Sequence, residues 1–289
     1  MRGRSVLRLG ALLCCAVMGS SVTGCADAAP AALPDGVAVD VLQGRTDYTS
    51  GTLVIRVINE SDADLELSRA SLSWPGFSGP AVWERGTTVR AGTTVDLRAP
   101  VPEVECGGAR TTKPTADLTF LDDGRTGTVT VPVSDPLSTL ERLHEAGCIT
   151  AGVDRLATLS VSPPVVEGTG RGAVAVLGLT LVPTGADGRL EVSAVSSTPL
   201  LHPDPARYPT TESWPLGLAV DAASGPVVTE LRIVPARCDA HAIAEDKVGT
   251  VLDLAVRLPD GTTGDYRFIQ PDDIREALLT YVRTTCGLG

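Results

Sequence analysis

The chain repeats itself at a distance of about half its length. Val95-Asp96-Leu97-Arg98, Val101-Pro102 and Cys106 return in the same order as Thr229-Glu230-Leu231-Arg232, Val234-Pro235 and Cys238. Downstream, Asp123-Gly124-Arg125-Thr126-Gly127 is matched by Asp260-Gly261-Thr262-Thr263-Gly264, and Asp135 and Asp272 follow at the same spacing. Leu137 then matches Ile274, and each copy closes on a cysteine, Cys148 or Cys286. A period this long exceeds the solenoid range and indicates a duplicated domain. The spacing places the copies at residues 36–149 and 150–289, each long enough to bury its own core.

Duplication also constrains the cysteines. Of the seven, Cys14, Cys15 and Cys25 lie near the N-terminus, and Cys106, Cys148, Cys238 and Cys286 occupy the repeats. Four cysteines allow three pairings. Repeat symmetry selects Cys106 with Cys148 and Cys238 with Cys286, because either alternative ties the copies together. Closing loops of this length is worth roughly 4 kcal/mol each in the chain-entropy model.

Each copy reads as mainly β. Thr52 to Ile58 is rich in β-branched residues, Thr93 to Leu97 and Leu190 to Val195 alternate, and Ala173 to Val182 reads as a strand buried on both faces. Asp123-Gly124 and Asp260-Gly261 read as hairpin turns. About seven strands per copy at this spacing predict two tandem Ig-like β-sandwich repeats. The inter-sheet Cys…Trp…Cys pattern of antibody domains is absent. A C-terminal helix is expected to close each copy. Asp135 and Pro136 would start the first, with Leu137, Leu140 and Leu143 on one face; Pro271 to Asp273 would start the second, with Ile274, Ala277, Leu278, Tyr281 and Val282 facing the core. Gly147 and Thr285 then fall at the helix ends, each just before a cysteine that staples the helix to the sheet. His144 at such an end would complement the helix dipole.

The N-terminus carries Arg2, Arg4 and Arg8, then the apolar stretch Ala11 to Val17, then Val22-Thr23-Gly24-Cys25. This charged-then-apolar layout is that of a secretory signal and is too short to span a bilayer permanently. The Val-Thr-Gly-Cys sequence resembles the bacterial lipobox, with Val22 where Leu is commonest. The resemblance implies cleavage before Cys25, a diacylglycerol on the Cys25 thiol, and a protein anchored on the extracytoplasmic face of the cell membrane. Several acyl chains, palmitate among them, make such anchoring stable. Residues 1–24 are then the signal peptide, and residues 25–35, small and Pro-containing, a tether. The segment after Cys238 is similar to a stretch in exported two-domain lipoproteins of high-GC Gram-positive bacteria, a resemblance that implies location and architecture and no activity.

Chemistry is sparse. The formal charge is −11, with 24 basic and 35 acidic residues, so the chain has no run of cations suited to nucleic-acid phosphates. The mature sequence has no Gly-x-Ser-x-Gly elbow, His-Glu-x-x-His motif, phosphate loop or dinucleotide fingerprint. No cofactor, metal or catalytic residue is expected. The segment after Cys238 concentrates Asp239, His241, Glu245, Asp246 and Lys247 in a chain with three His and two Lys. It is the candidate ligand or partner loop; Cys-x-x-His would bind a soft metal only with Cys238 reduced. His202-Pro203-Asp204-Pro205 reads as a structural turn, and Trp214 as a core residue. The functional expectation is a non-catalytic binding or scaffolding role at the cell envelope, toward an envelope protein or ligand. A small-ligand or metal carrier is the alternative, and an envelope enzyme ranks below it.

Overall fold

A computed structural model describes residues 33–107, 112–122, 124–210, 212–245 and 249–288. Cys25, the expected signal and nearly all of the expected tether lie outside these residues. Leu33, inside the span expected to be tether, packs against the first core. Among the described residues no helix is long and apolar enough to cross a membrane.

The chain is mainly β. The first group comprises β1 (Val37–Leu42), α1 (Arg45–Ser50), β2 (Thr52–Asn59), β3 (Leu65–Ser73), β4 (Ala81–Trp83), β5 (Thr87–Val89), β6 (Thr93–Pro100), β7 (Thr115–Asp122), β8 (Arg125–Ser134) and α2 (Thr139–Leu156). β1, β2 and β6 pair antiparallel, and β4 and β5 both pair β3, which continues to β7 and β8. β8 links the two layers: Arg125 to Pro132 pair β7 antiparallel, while Val133 and Ser134 run parallel to β1. The inward side chains of both layers, Leu53, Ile55, Val57 and Leu97 from one and Leu67, Leu72, Leu118 and Phe120 from the other, form one buried cluster. Each fully buried aliphatic or aromatic side chain contributes about 1.5–3 kcal/mol against exposure.

The second group comprises β9 (Ala157–Val161), β10 (Val165–Glu167), β11 (Val174–Pro183), β12 (Arg189–Ser196), β13 (Leu201–Pro203), β14 (Ser213–Asp221), β15 (Val227–Pro235), α3 (Ala240–Glu245), β16 (Leu252–Arg257), β17 (Thr263–Phe268) and α4 (Asp272–Cys286). One sheet runs β10-β11-β15-β13 with β9 also on β11; the other runs β14-β12-β16-β17. They enclose a second cluster around Leu177, Leu179, Leu190, Trp214 and Leu231.

The two groups share strand order. β4-β3-β7-β8 has its counterpart in β14-β12-β16-β17, and β1-β2-β6 in β9/β10-β11-β15. Even an irregularity recurs. The register of β3 slips between Leu67 and Arg69, and that of β12 between Val192 and Ala194. Each slip leaves a serine on the bulge, and each serine hydroxyl donates at 3.2 Å to the neighbouring strand, Ser68 to the Thr119 carbonyl and Ser193 to the Ala255 carbonyl. Both hairpins expected at Asp-Gly are present. β7 and β8 pair up to Asp122 and Arg125, and Gly124 and Gly261 take φ of +75° and +88°.

Both disulfides join the expected cysteines. Cys106 to Cys148 spans 5.6 Å between Cα atoms, and Cys238 to Cys286 spans 5.1 Å, within the range that bridges unstrained backbones.

Three expectations are corrected. β11 is not buried on both faces: Ala175, Leu177, Leu179 and Leu181 are buried, and the alternate residues are half-exposed. The first helix begins at Thr139, later than Asp135-Pro136, with the Asp135 carboxylate accepting the Thr139 and Leu140 N–H groups at 2.7 and 2.9 Å. That helix also does not stop at Cys148; it runs on to Leu156 and enters β9 directly. The expected 149/150 boundary therefore lies inside a helix. Leu140 belongs to the first cluster, while Ile149, Val153 and Leu156 belong to the second.

This shared helix packs tightly on the second group. A Cβ on Gly152 would lie 2.4 Å from a methyl of Leu258, so any larger residue there requires that side chain to shift. The Tyr266 hydroxyl on β17 donates to Asp154 at 2.9 Å. Burial, and then the adjacent Asp154 carboxylate, push the Tyr266 phenol up to about 12. The Arg267 guanidinium stacks over the Tyr48 ring of the first group at 5.9 Å.

Candidate functional site

The segment singled out after Cys238 is partly a short helix, α3. Asp239 forms an ion pair with Arg237 at 3.1 Å, with both side chains about half-exposed, and His241 is exposed. Ile243 turns inward and joins the second cluster, and Gly249 to Val251 are buried where the chain re-enters the sheet. The Thr198 hydroxyl donates to the Gly249 carbonyl. Glu245 ends α3, and Asp246 and Lys247 lie outside the described residues. Cys238 is held in its disulfide, so the thiol that a Cys-x-x-His metal site requires is engaged.

Two shallow depressions lie elsewhere, and neither is lined by the 239–250 segment. One, of about 380 Å3, is bounded by Arg207, Tyr208, Val228, Thr229, Glu230 and Arg232. It follows from the way β15 is paired. Along Val227 to Arg232, β15 bonds β11 on one side, whereas β13 reaches only Ile233 to Pro235 on the other. The turn after β13 fills part of the gap. Asp204 is buried, donates its N–H to the Arg232 carbonyl at 2.9 Å, and accepts the Ala206 N–H at 3.0 Å. Val228 stands 66% exposed at the rim, among the largest exposures of any apolar side chain described. The Arg232 guanidinium reaches Glu167 at 2.7 Å and Asp204 at 3.4 Å, and these partners, Glu167 foremost, raise its already high pKa. The floor is thus charge-compensated, with an apolar rim and a tyrosine wall.

The other depression, of about 340 Å3, lies over β12, β16 and β17. Its Glu191 pairs with Arg189 at 3.3 Å and Arg257 at 3.7 Å, and its Ser193 hydroxyl is committed to the Ala255 carbonyl. A serine donating to a backbone carbonyl is not poised against a general base.

Sequence reasoning placed Trp214 correctly in the core, whereas His202, expected in a structural turn, lies in a strand that pairs β15, and the turn begins only at Asp204. His202 lies in β13 with Nδ1 at 2.9 Å from the Pro203 carbonyl, and Trp214 is fully buried, donating to the Arg232 carbonyl at 2.8 Å. His144 was misplaced. It is buried mid-helix, not at a helix end. Its Nε2 lies 3.0 Å from the Glu105 carbonyl and its ring meets Trp74 edge-on. Its two ring nitrogens lie 3.5 and 3.8 Å from Cys148 Sγ. Cys106, His144 and Cys148 form the one group of potential metal-ligand atoms found within 4.8 Å of one another among the described residues. The His-x-x-x-Cys spacing, which stacks two side chains on one helix face, was the available signal.

The sequence matches no protein-family model and no curated protein. Among solved structures, a red sea bream transglutaminase aligns at 12% identity over 83% of this chain and 32% of its own, with a TM-score of 0.21. A Porphyromonas gingivalis W83 protein of unknown function aligns at 17% identity over 80% and 94%, with a TM-score of 0.19. An Amycolatopsis orientalis exo-chitosanase aligns at 12% identity over 79% and 26%, also with a TM-score of 0.19. At these scores the likenesses carry no argument about function.

Proposed function

We propose that this protein is a lipid-anchored, extracytoplasmic lipoprotein that acts without catalysis, as a binding or scaffolding module at the cell envelope. It consists of two tandem Ig-like β-sandwich repeats, residues 36–149 and 150–289, each closed by a C-terminal helix, with the division falling inside α2. The shared strand order, the recurring serine bulge and the equivalent disulfides support the repeats. Two intrachain disulfides suit an oxidising compartment outside the cytoplasm, and Val22-Thr23-Gly24-Cys25 supplies the anchor.

The observation that carries the binding reading is the half-paired β15. An extended segment of an envelope protein can lie along Val227 to Leu231, short of the Arg232 carbonyl that Asp204 and Trp214 already engage, drawing affinity from main-chain hydrogen bonds and specificity from the Tyr208–Val228 wall. Two experiments test the reading. Cys25→Ser should release the protein from membranes or leave an uncleaved precursor; normal processing with lipid-dependent membrane retention contradicts the anchor. A photo-crosslinking residue at position 228 should give discrete protein adducts in intact cells, and one at position 241 should not. Adducts from 241 alone would return the site to the α3 segment.

A further inference from the structure

The two disulfides occupy equivalent places but have different surroundings. In both, the cysteine after the sheet is exposed, Cys106 in one and Cys238 in the other, so an external thiol meets each at the same kind of position. The helix cysteines differ. Cys286 is buried at 4% exposure within the apolar cluster, and the residue one helical turn before it is Val282, fully buried. Its sulfur has the Arg237 carbonyl at 3.6 Å, a group that can stabilise a thiol but not a thiolate. One turn before Cys148 stands His144, buried at 3%, with its ring against the sulfur. The Glu105 carbonyl can only accept, which places a hydrogen on Nε2, 3.0 Å from that oxygen and 3.5 Å from Cys148 Sγ, and in the neutral ring a lone pair on Nδ1, 3.8 Å from the same sulfur.

We propose that Cys106–Cys148 is an exchangeable, redox-active disulfide whose substrate class is a dithiol, and that Cys238–Cys286 is a structural staple. A thiolate of the dithiol attacks the exposed Cys106 sulfur. The proton that the attacking thiol releases is taken up on His144 Nδ1; the Cys106–Cys148 bond breaks, its electron pair leaves on Cys148, and the imidazolium so formed stabilises that thiolate and passes the proton to it. The dithiol's second thiolate then attacks the dithiol's own sulfur in the mixed disulfide, and Cys106 leaves as a thiolate. Two electrons pass from the dithiol to the protein, the dithiol becomes a disulfide, and its two protons end on Cys106 and Cys148. The leaving sulfur decides the selectivity. A thiolate beside an imidazolium is stabilised and leaves readily, whereas one in apolar surroundings has no such partner and leaves slowly.

The test is timed reduction of the native protein by dithiothreitol, quenched by alkylation and read by peptide mass, with both disulfides in one tube. Cys106–Cys148 should open at least about tenfold faster than Cys238–Cys286. His144→Val, which copies the second repeat, should bring the two rates within about twofold of each other. His144→Gln keeps a donor for the Glu105 carbonyl but cannot take a proton, and it should do the same, so the reading survives if the Val variant fails to fold. Equal rates in the unaltered protein overturn the proposal. So does a preference that persists in either folded variant.

Discussion

Proline at position 150 should be costly, and the reason is the continuity of α2 through the middle of the chain. Thr150 is exposed on this helix, and its hydroxyl donates to the Ala146 carbonyl at 2.9 Å. Thr150→Pro removes one backbone hydrogen bond and drives the ring into that carbonyl, a penalty of about 3 kcal/mol or more in a helix interior. The resulting kink cannot keep Leu140 in the first core and Ile149, Val153 and Leu156 in the second, since the latter three are 4%, 0% and 3% exposed. Both cores should therefore weaken. Thr150→Ala is the control; it loses a local side-chain bond, gains helix propensity, and should stay within about 0.5 kcal/mol of the parent. Urea titration reads the result through circular dichroism and tryptophan emission, with Trp74 and Trp83 reporting the first core and Trp214 the second. A proline variant within about 0.5 kcal/mol of the alanine variant would refute a rigid shared helix and favour a loop at the junction.

Two further outcomes follow from single contacts. Trp214→Phe loses the bond to the Arg232 carbonyl and leaves a void in the second core; it should cost about 1–3 kcal/mol by thermal or urea unfolding, the carbonyl keeping the Asp204 N–H. The Tyr266 phenol ionises near 10 when unfolded and near 12 in the fold. Its contribution to stability is complete below pH 10 and is lost as pH rises through about 12, and Tyr266→Phe should flatten that part of the stability–pH curve.

Much of this was legible from residues whose chemistry is local. The Asp-Gly turns, the paired cysteines and the Leu-Arg strands recur because turns, bridges and core-facing leucines tolerate little drift. The rest depended on long-range packing. Gly147 suggests that the first helix ends near Cys148, yet it sits inside the helix, with the Val104 side chain against the backbone there, as the Leu258 side chain is at Gly152. A helix ending near Cys148 places His144 at its terminus and hides its burial against the disulfide. α1 was missed because Arg45–Ser50 carries no apolar periodicity; its Asp47 carboxylate accepts the Gly44 N–H and pairs with Arg98 at 2.8 Å, a contact made across the sheet. The β15 depression was invisible because an unpaired strand edge is a property of its neighbours. The polar residues after Cys238 stood out only by composition, which marks rarity and not position.

The decisive measurement is a non-reducing peptide map of the protein extracted from cell membranes. A first residue of Cys25 bearing a diacylglyceryl thioether, with Cys106 linked to Cys148 and Cys238 to Cys286, is the expected result. An unmodified chain beginning between Ala26 and Ala32, or any peptide joining Cys106 to Cys238 or Cys286, would contradict a lipid-anchored pair of separately stapled repeats.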